Sequence, residues 1–305
     1  MTLFLYLLFT GIFAGLIGSV IGIGGGIIIV PVLTLVLKIP IHLAIGTSII
    51  SVMVTSLAAV IRFFKKDIIN IPLGLALEIP TTAGGVIGSL TVAYLKNSTL
   101  FIIFGCFALA SGVLTFVKSR MVPQSGNESY ETLNNNNNRV NPGSAPNYLK
   151  PDSRGSAGSA SSMFDSQYYD EASRQNIRYR VKRTALGGSL SLFAGILSGL
   201  LGVGGGIVKV PVMNILMNIP VKVAAATSTY MIGITAVVSA VIYFFNGFIS
   251  PLITVPVVAG VLAGATGGSY LAVKLKSRYI SAIILSVFTL IGIFMFLRAF
   301  NIFAY

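Results

Sequence analysis

Residues 14–48 read AGLIGSVIGIGGGIIIVPVLTLVLKIPIHLAIGTS, and residues 194–228 read AGILSGLLGVGGGIVKVPVMNILMNIPVKVAAATS. The two stretches lie 180 residues apart, align without a gap and agree at 15 of 35 positions. The register continues to the end of each half: Gly84 matches Gly264, Gly88 matches Gly268, Ser89 matches Ser269, Lys96 matches Lys276 and Gly112 matches Gly292. Each copy interrupts an apolar run with three or four closely spaced glycines and then a proline. Broken apolar segments at corresponding positions of two halves mark the centre of many membrane carriers.

Composition agrees. The chain is 54% hydrophobic and 10% charged, with a mean hydropathy of +0.88, whereas soluble domains carry about 25% charged residues. Apolar segments fall at about 3–23, 26–38, 41–64, 71–95 and 99–117, and again at 185–203, 206–218, 221–245, 251–273 and 279–298. Several reach the ~20 residues that span a bilayer. The N-terminus has no basic n-region or cleavage site and reads as a retained first span. The fold class expected is an all-α polytopic membrane protein of two repeats, residues 1–120 and 184–305.

Residues 121–183 differ in kind, with five consecutive asparagines at 134–138 and no apolar periodicity over most of their length. That composition reads as a low-complexity linker. Its end, MFDSQYYDEASRQNIRYRVKR (163–183), has enough aromatics for a short interfacial helix. The net charge of +13 gathers at span ends and in this loop. It therefore reads as cytoplasmic anchoring and does not call for nucleic acid.

The broken segment sets the topology. One helix over 3–37 would be about 50 Å long, too long for a ~30 Å hydrocarbon core, so the chain breaks at the glycines. If segment 26–38 returns, each repeat makes five passes and the second repeat is inverted. With the loop cytoplasmic, this places 13 basic residues inside and 3 outside, against 10 and 6 for four passes. The positive-inside rule favours inversion, with both termini outside. The broken segments could also be re-entrant.

The candidate site follows from the breaks. Non-helical backbone survives at membrane depth only in protein or beside a wet cavity. Gly24, Gly25 and Gly26, with Gly204, Gly205 and Gly206, permit the break, and Pro31 and Pro211 are expected at the start of a new helix. Helix starts near mid-membrane would turn free N–H groups toward an anion. Lys209 stands where the first repeat has Ile29, and a charge at that depth is a functional candidate by default. Asn214 lies about one turn beyond. Thr47, Ser48, Thr227 and Ser228 offer hydroxyl donors, although such hydroxyls also satisfy helix carbonyls. Glu78, mid-span opposite Val258, is the candidate for proton coupling; it could equally pair with Lys209 or Arg62. Gly84, Gly88, Gly264 and Gly268 read as packing positions, and His42 as structural. No His/Cys/carboxylate cluster has metal-ligand spacing, and the glycine run lacks the lysine and hydroxyl of a phosphate loop. Neither cofactor, metal nor catalysis is expected.

The doubled GxGGGxxxVP, the Ile-Pro after each copy, and the Ala-x-x-Thr-Ser that follows (Ala44/Thr47/Ser48 and Ala224/Thr227/Ser228) resemble the TauE/SafE family of sulfite exporters. The resemblance covers both membrane halves but not the loop. It implies export of small sulfur-containing anions, such as sulfite or organosulfonates, driven by an ion gradient of protons or sodium across the cell (inner) membrane. A homo-oligomer is left open. The alternatives are an anion channel, or a non-transporting receptor or scaffold acting through the 121–183 loop.

Overall fold

The computed structural model describes residues 2–21, 25–121, 131–132, 163–170, 175–274 and 277–300. The first half contributes α1 (Thr2–Ile21), α2 (Gly26–Pro31), α3 (Ile41–Lys65), α4 (Ile71–Val92) and α5 (Asn97–Met121). The second half repeats them as α6 (Thr184–Leu201), α7 (Gly206–Pro211), α8 (Val221–Phe245), α9 (Pro251–Lys274) and α10 (Ser277–Ala299). The chain is an all-α polytopic membrane protein. Among the described residues, α3, α4, α6 and α8 are long and apolar enough to cross a bilayer. Large apolar side chains such as Phe9, Ile79, Phe245 and Leu252 point outward and are exposed, as a lipid-facing surface requires.

The prolines sit elsewhere than the sequence suggests. Helices α2 and α7 begin at Gly26 and Gly206, five residues before Pro31 and Pro211, which end the α-helical part instead of opening it. A proline lacks the N–H that would bond four residues back, and its ring crowds that carbonyl. The next turn therefore widens into π-helix, over Val32–Val36 and Val212–Leu216. The amides of Leu37 and Met217 reach five residues back, to the carbonyls of Val32 and Val212.

The halves interlock. Helix α1 packs along α9, α4 along α6, α5 along α10 and α3 along α8. Small residues make these crossings close. A Cβ on Gly84 or Gly88 of α4 would strike backbone of Leu192 or Ile196 on α6, and one on Gly264 would strike Ile12 on α1. The packing expected for these glycines is therefore observed; the side-chain position 268 lies outside the described residues. The two long central helices run antiparallel. The start of α3 meets the end of α8, where His42 stacks on Phe248 at 4.9 Å. Conversely, the amide of Asn70, just past α3, donates to Thr227 early in α8. His42 also meets the Val92 carbonyl at 3.2 Å, which fits its structural reading.

Residues 163–183 correct one expectation. They form strands in place of an interfacial helix: β2 (Ser166–Asp170) pairs antiparallel with β3 (Gln175–Tyr179), and β1 (Glu131–Thr132) adds to the other edge of β3. Alternate residues Ile177, Tyr179 and Val181 turn toward the membrane part, where Tyr179 and Val181 are buried. A period of two is a strand signal, and here it prevails over the aromatic composition. The remainder of 121–183 lies largely outside the described residues.

Candidate functional site

The two breaks meet. Gly25 and Gly205 hold the left-handed conformation, with φ of 77° and 69°, and each leads into its short helix. The Gly25 carbonyl accepts from the amides of Ile28 and Ile29, and that of Gly205 from the amides of Val208 and Lys209. Gly26 lies against the other break: a Cβ there would come within 2.8 Å of the Gly202 carbonyl oxygen and 2.9 Å of Ser48 Oγ. The Ser48 hydroxyl sits over both carbonyls, 2.7 Å from Gly202 O and 3.2 Å from Gly26 O. Gly204, with φ of 82°, fits between Val52 and Ile232. Gly24 lies outside the described residues.

Ser48 thus ties one break to the other. Ser48→Ala is expected to cost about 1–3 kcal/mol, the usual consequence of removing one partner of a buried hydrogen bond. A lowered thermal midpoint of purified protein would show it.

Other predicted hydroxyls are also committed to protein. Thr47 Oγ1 lies 3.2 Å from Thr254 Oγ1 of α9. Thr227 Oγ1 accepts from the Asn70 amide at 3.0 Å. Asn214 does not share the site: its side-chain amide donates to the Ile219 carbonyl at 2.9 Å and secures the turn into α8.

Ser228 is different. It is the counterpart of Ser48, 1% exposed, and its hydroxyl has no hydrogen-bond partner. Lys209 is likewise 1% exposed, with its Nζ unpartnered. Glu78, on α4, completes the group. Its Oε1 accepts from Thr235 Oγ1 at 2.6 Å and from Thr82 Oγ1 at 2.8 Å, while its Oε2 has no partner. Glu78 and Lys209 are close enough to act on each other electrostatically, yet no hydrogen bond joins them. Ser198 and Ser239 also hold buried hydroxyls without partners. Ser198 lies beside Gly205, and Ser239 within van der Waals distance of a Cβ built on Gly85.

These groups share a side. They sit on α4, α6, α7 and α8, and the first-half counterparts of Ser198, Lys209 and Ser239 are Gly18, Ile29 and Ala59. A buried polar atom without a partner is rare in a native protein and calls for an explanation. Here they comprise one ammonium, one carboxylate oxygen and three hydroxyls, carried on α4, α6, α7 and α8. Among the described residues no group of His, Cys, Asp and Glu could hold a metal ion.

The comparisons with known proteins bear on this arrangement. The sequence profile described as Sulfite exporter TauE/SafE matches residues 7–295. The chain belongs to the TauE/SafE family. It is 27% identical over 296 residues to a Bacillus subtilis (strain 168) protein named "Probable membrane transporter protein YunE", covering 95% of this chain and 96% of that one. It is 24% identical over 306 residues to "Probable membrane transporter protein MJ0441" of Methanocaldococcus jannaschii, covering 95% and 94%. No solved structure matches. Membership covers the hairpin region as well as both membrane halves, and it makes this TauE/SafE protein a membrane transporter and not an enzyme.

Sequence reasoning alone singles out neither Thr82, Ser198 and Ser239 nor Asn70. Asn70 had a local signal: it precedes Ile71-Pro72, a helix-start pattern, and its Oδ1 caps α4 by accepting from the Leu73 amide.

Proposed function

We infer that this protein is a secondary carrier that exports small sulfur-containing anions, such as sulfite or an organosulfonate. The observation that carries the reading is a pair of buried groups without hydrogen-bond partners on adjacent helices, the Lys209 ammonium of α7 and the Ser228 hydroxyl of α8, which lies 3.7 Å from a Cβ built on Gly206 at the start of α7. A permanently unsatisfied buried charge is very costly. An anion arriving between α4, α7 and α8 would satisfy Nζ and Oγ together. The site is thus asymmetric, on the Lys209 side of the paired breaks. The glycines at 24–26 and 204–206, with Pro31 and Pro211, shape the backbone around it. Ser48, Thr47 and Thr227 brace it.

Alternating access would come from the two repeats, inserted with opposite orientation in the cell membrane, rocking around this centre. The antiparallel course of α3 and α8 and the bias of basic residues toward the loop ends support that arrangement. It leaves the 121–183 loop cytoplasmic and both termini outside.

Thermal-shift titration of purified protein tests the binding step. Ligand that binds only the folded state stabilises it by about 2.7 kcal/mol at 100 times its Kd. Sulfite, thiosulfate or sulfoacetate should raise the midpoint, while acetate should not. No shift with any sulfur anion, in protein shown to be folded, would remove this substrate class.

Glu78 supplies the coupling step, as the carboxylate that gains a proton when the site changes side. Glu78→Gln keeps an acceptor for Thr82 and Thr235 but cannot ionise. In proteoliposomes the variant should retain sulfite exchange and lose acceleration by an imposed pH gradient. Undiminished acceleration would exclude Glu78 as the coupling group.

A further inference from the structure

The strand hairpin of the central loop is seated on the membrane part with an ordered set of contacts. Tyr168, Tyr179 and Val181 are 7%, 4% and 6% exposed. They pack in one apolar cluster with Leu73 and Leu77 of α4, Met213 and Met217 of the π-helical turn, and Val223, Ala224 and Met231 of α8. Polar ties pin the same segment. The Asn70 side-chain amide donates to Tyr179 Oη and to the Phe164 carbonyl, both at 2.9 Å. The Lys182 amide donates to the Met217 carbonyl at 3.1 Å. The hairpin closes on itself through the Val181 amide and Arg180, which both meet Asp165.

What lies under this cluster gives it a function. Met213 is one helical turn from Lys209, Met231 is one turn from Thr235, and Leu77 precedes Glu78. Helices α4 and α8 run side by side from the hairpin inward. Asn70 meets Thr227, Gly74 abuts Thr227 and Tyr230, and Glu78 meets Thr235. Eight residues of helix separate Asn70 from Glu78, about 12 Å. A layer of leucine and methionine therefore divides the hairpin from the charged group. Apolar constrictions of this kind close a path by excluding water, and methionine, unbranched and adaptable, repacks readily.

We propose that the paired strands β2 and β3, with Val181 and Lys182, are a built-in plug that holds the loop-side approach to the buried Lys209 and Glu78 shut, with Asn70 as its latch. The hairpin joins α4 of the first half to α7 and α8 of the second half. Any motion that parts these elements on the loop side must first release it. Asn70 fastens two things at once: its side chain holds the hairpin, and its backbone amide holds Thr227. The proposal locates the gate of the site inferred above, but its test reads water access and needs no transported substrate.

Cys106, the only cysteine, is exposed. In a Cys106→Ser background, Ser228→Cys places a thiol at a buried position on α8, against the start of α7. Its rate of labelling by the anionic reagent methanethiosulfonate ethylsulfonate is measured in nanodiscs. With the hairpin intact, labelling should be slow. Tyr179→Phe, which removes only the hydroxyl that meets Asn70, should accelerate it about 2- to 10-fold, the weight of one hydrogen bond. Tyr168→Ala/Tyr179→Ala should accelerate it more than Tyr179→Phe does. Unchanged rates in variants that remain monodisperse and folded would overturn the plug; should the double variant not fold, Tyr179→Phe decides alone. Accelerated labelling supports the plug even if sulfite fails to bind, an outcome that would count against the sulfur-anion reading only.

Discussion

Lys209→Ala is expected to yield a folded protein that binds sulfite far more weakly. The ammonium is buried, has no hydrogen-bond partner and stands on the short helix that follows the second break. A charged hydrogen bond contributes about 1.5–3 kcal/mol, so affinity should fall by about 10- to 100-fold. Because the change leaves the buried Glu78 carboxyl without its neighbouring ammonium, a moderate loss of stability is expected with it, and Lys209→Ala/Glu78→Gln separates that loss from the loss of binding. Stability carries a second signature. Replacing a buried charged pair by neutral groups of similar size is often stabilising by about 1–4 kcal/mol. Lys209→Met/Glu78→Gln should therefore melt above wild type while showing no anion-dependent shift. A double variant that melts below wild type would mean that the pair is structural. Retained sulfite affinity in folded Lys209→Ala would remove Lys209 from the site.

Gly205→Val is expected to produce the largest loss of stability. The residue has φ of 69°, a conformation closed to β-branched side chains. A Cβ would also come within 2.9 Å of the Ala194 carbonyl oxygen and 3.2 Å of Ser198 Cβ. Left-handed backbone costs an ordinary residue about 1–2 kcal/mol, and forced packing costs about 1–3 kcal/mol. The consequence reaches the site directly, because the Gly205 carbonyl receives the amides of Val208 and Lys209. Gly247 is the control. Its φ is 70°, but a Cβ there meets nothing within 4 Å. Gly247→Ala should therefore show the backbone cost alone, and thermal midpoints of the two variants separate the terms. Equal midpoints would mean that the second break is loosely packed.

Much of the membrane architecture is legible in the sequence because it is local. The glycines before Gly26 and Gly206, the Ile-Pro before α3 and α8, and the Asn-Ile-Pro that opens α4 each punctuate an apolar run. The predicted segments accordingly coincide with the observed helices to within a few residues. Lys209 is legible because the duplicated repeat supplies its own reference, Ile29. Pro31 and Pro211 are misleading because a proline is equally at home at a helix start and at a widened turn. The partnership of Glu78 with Thr235 spans 157 positions and has no local trace. Nor does the interlocking of α1 with α9 and α4 with α6, which depends on small residues meeting across halves. The hairpin was half legible: Ile177, Tyr179 and Val181 alternate, but nothing nearby states which surface they cover.

Thr47, Ser48 and Thr227 carry the same lesson for function. Sequence offers four equivalent hydroxyls, two in each repeat. The structure engages three of them with protein groups and leaves Ser228 free. The asymmetry begins with Lys209 and extends through Ser198 and Ser239, whose first-half counterparts are Ile29, Gly18 and Ala59.

Trans-stimulated exchange in proteoliposomes separates a carrier centred on Lys209 from a channel. Vesicles loaded with unlabelled sulfite are diluted into radiolabelled sulfite, and uptake is followed with and without the internal load. Uptake should saturate, rise with internal sulfite and fall sharply in Lys209→Ala. Uptake that grows linearly with concentration and ignores the internal load would identify a channel. Absence of sulfite exchange in folded wild-type protein would contradict the account.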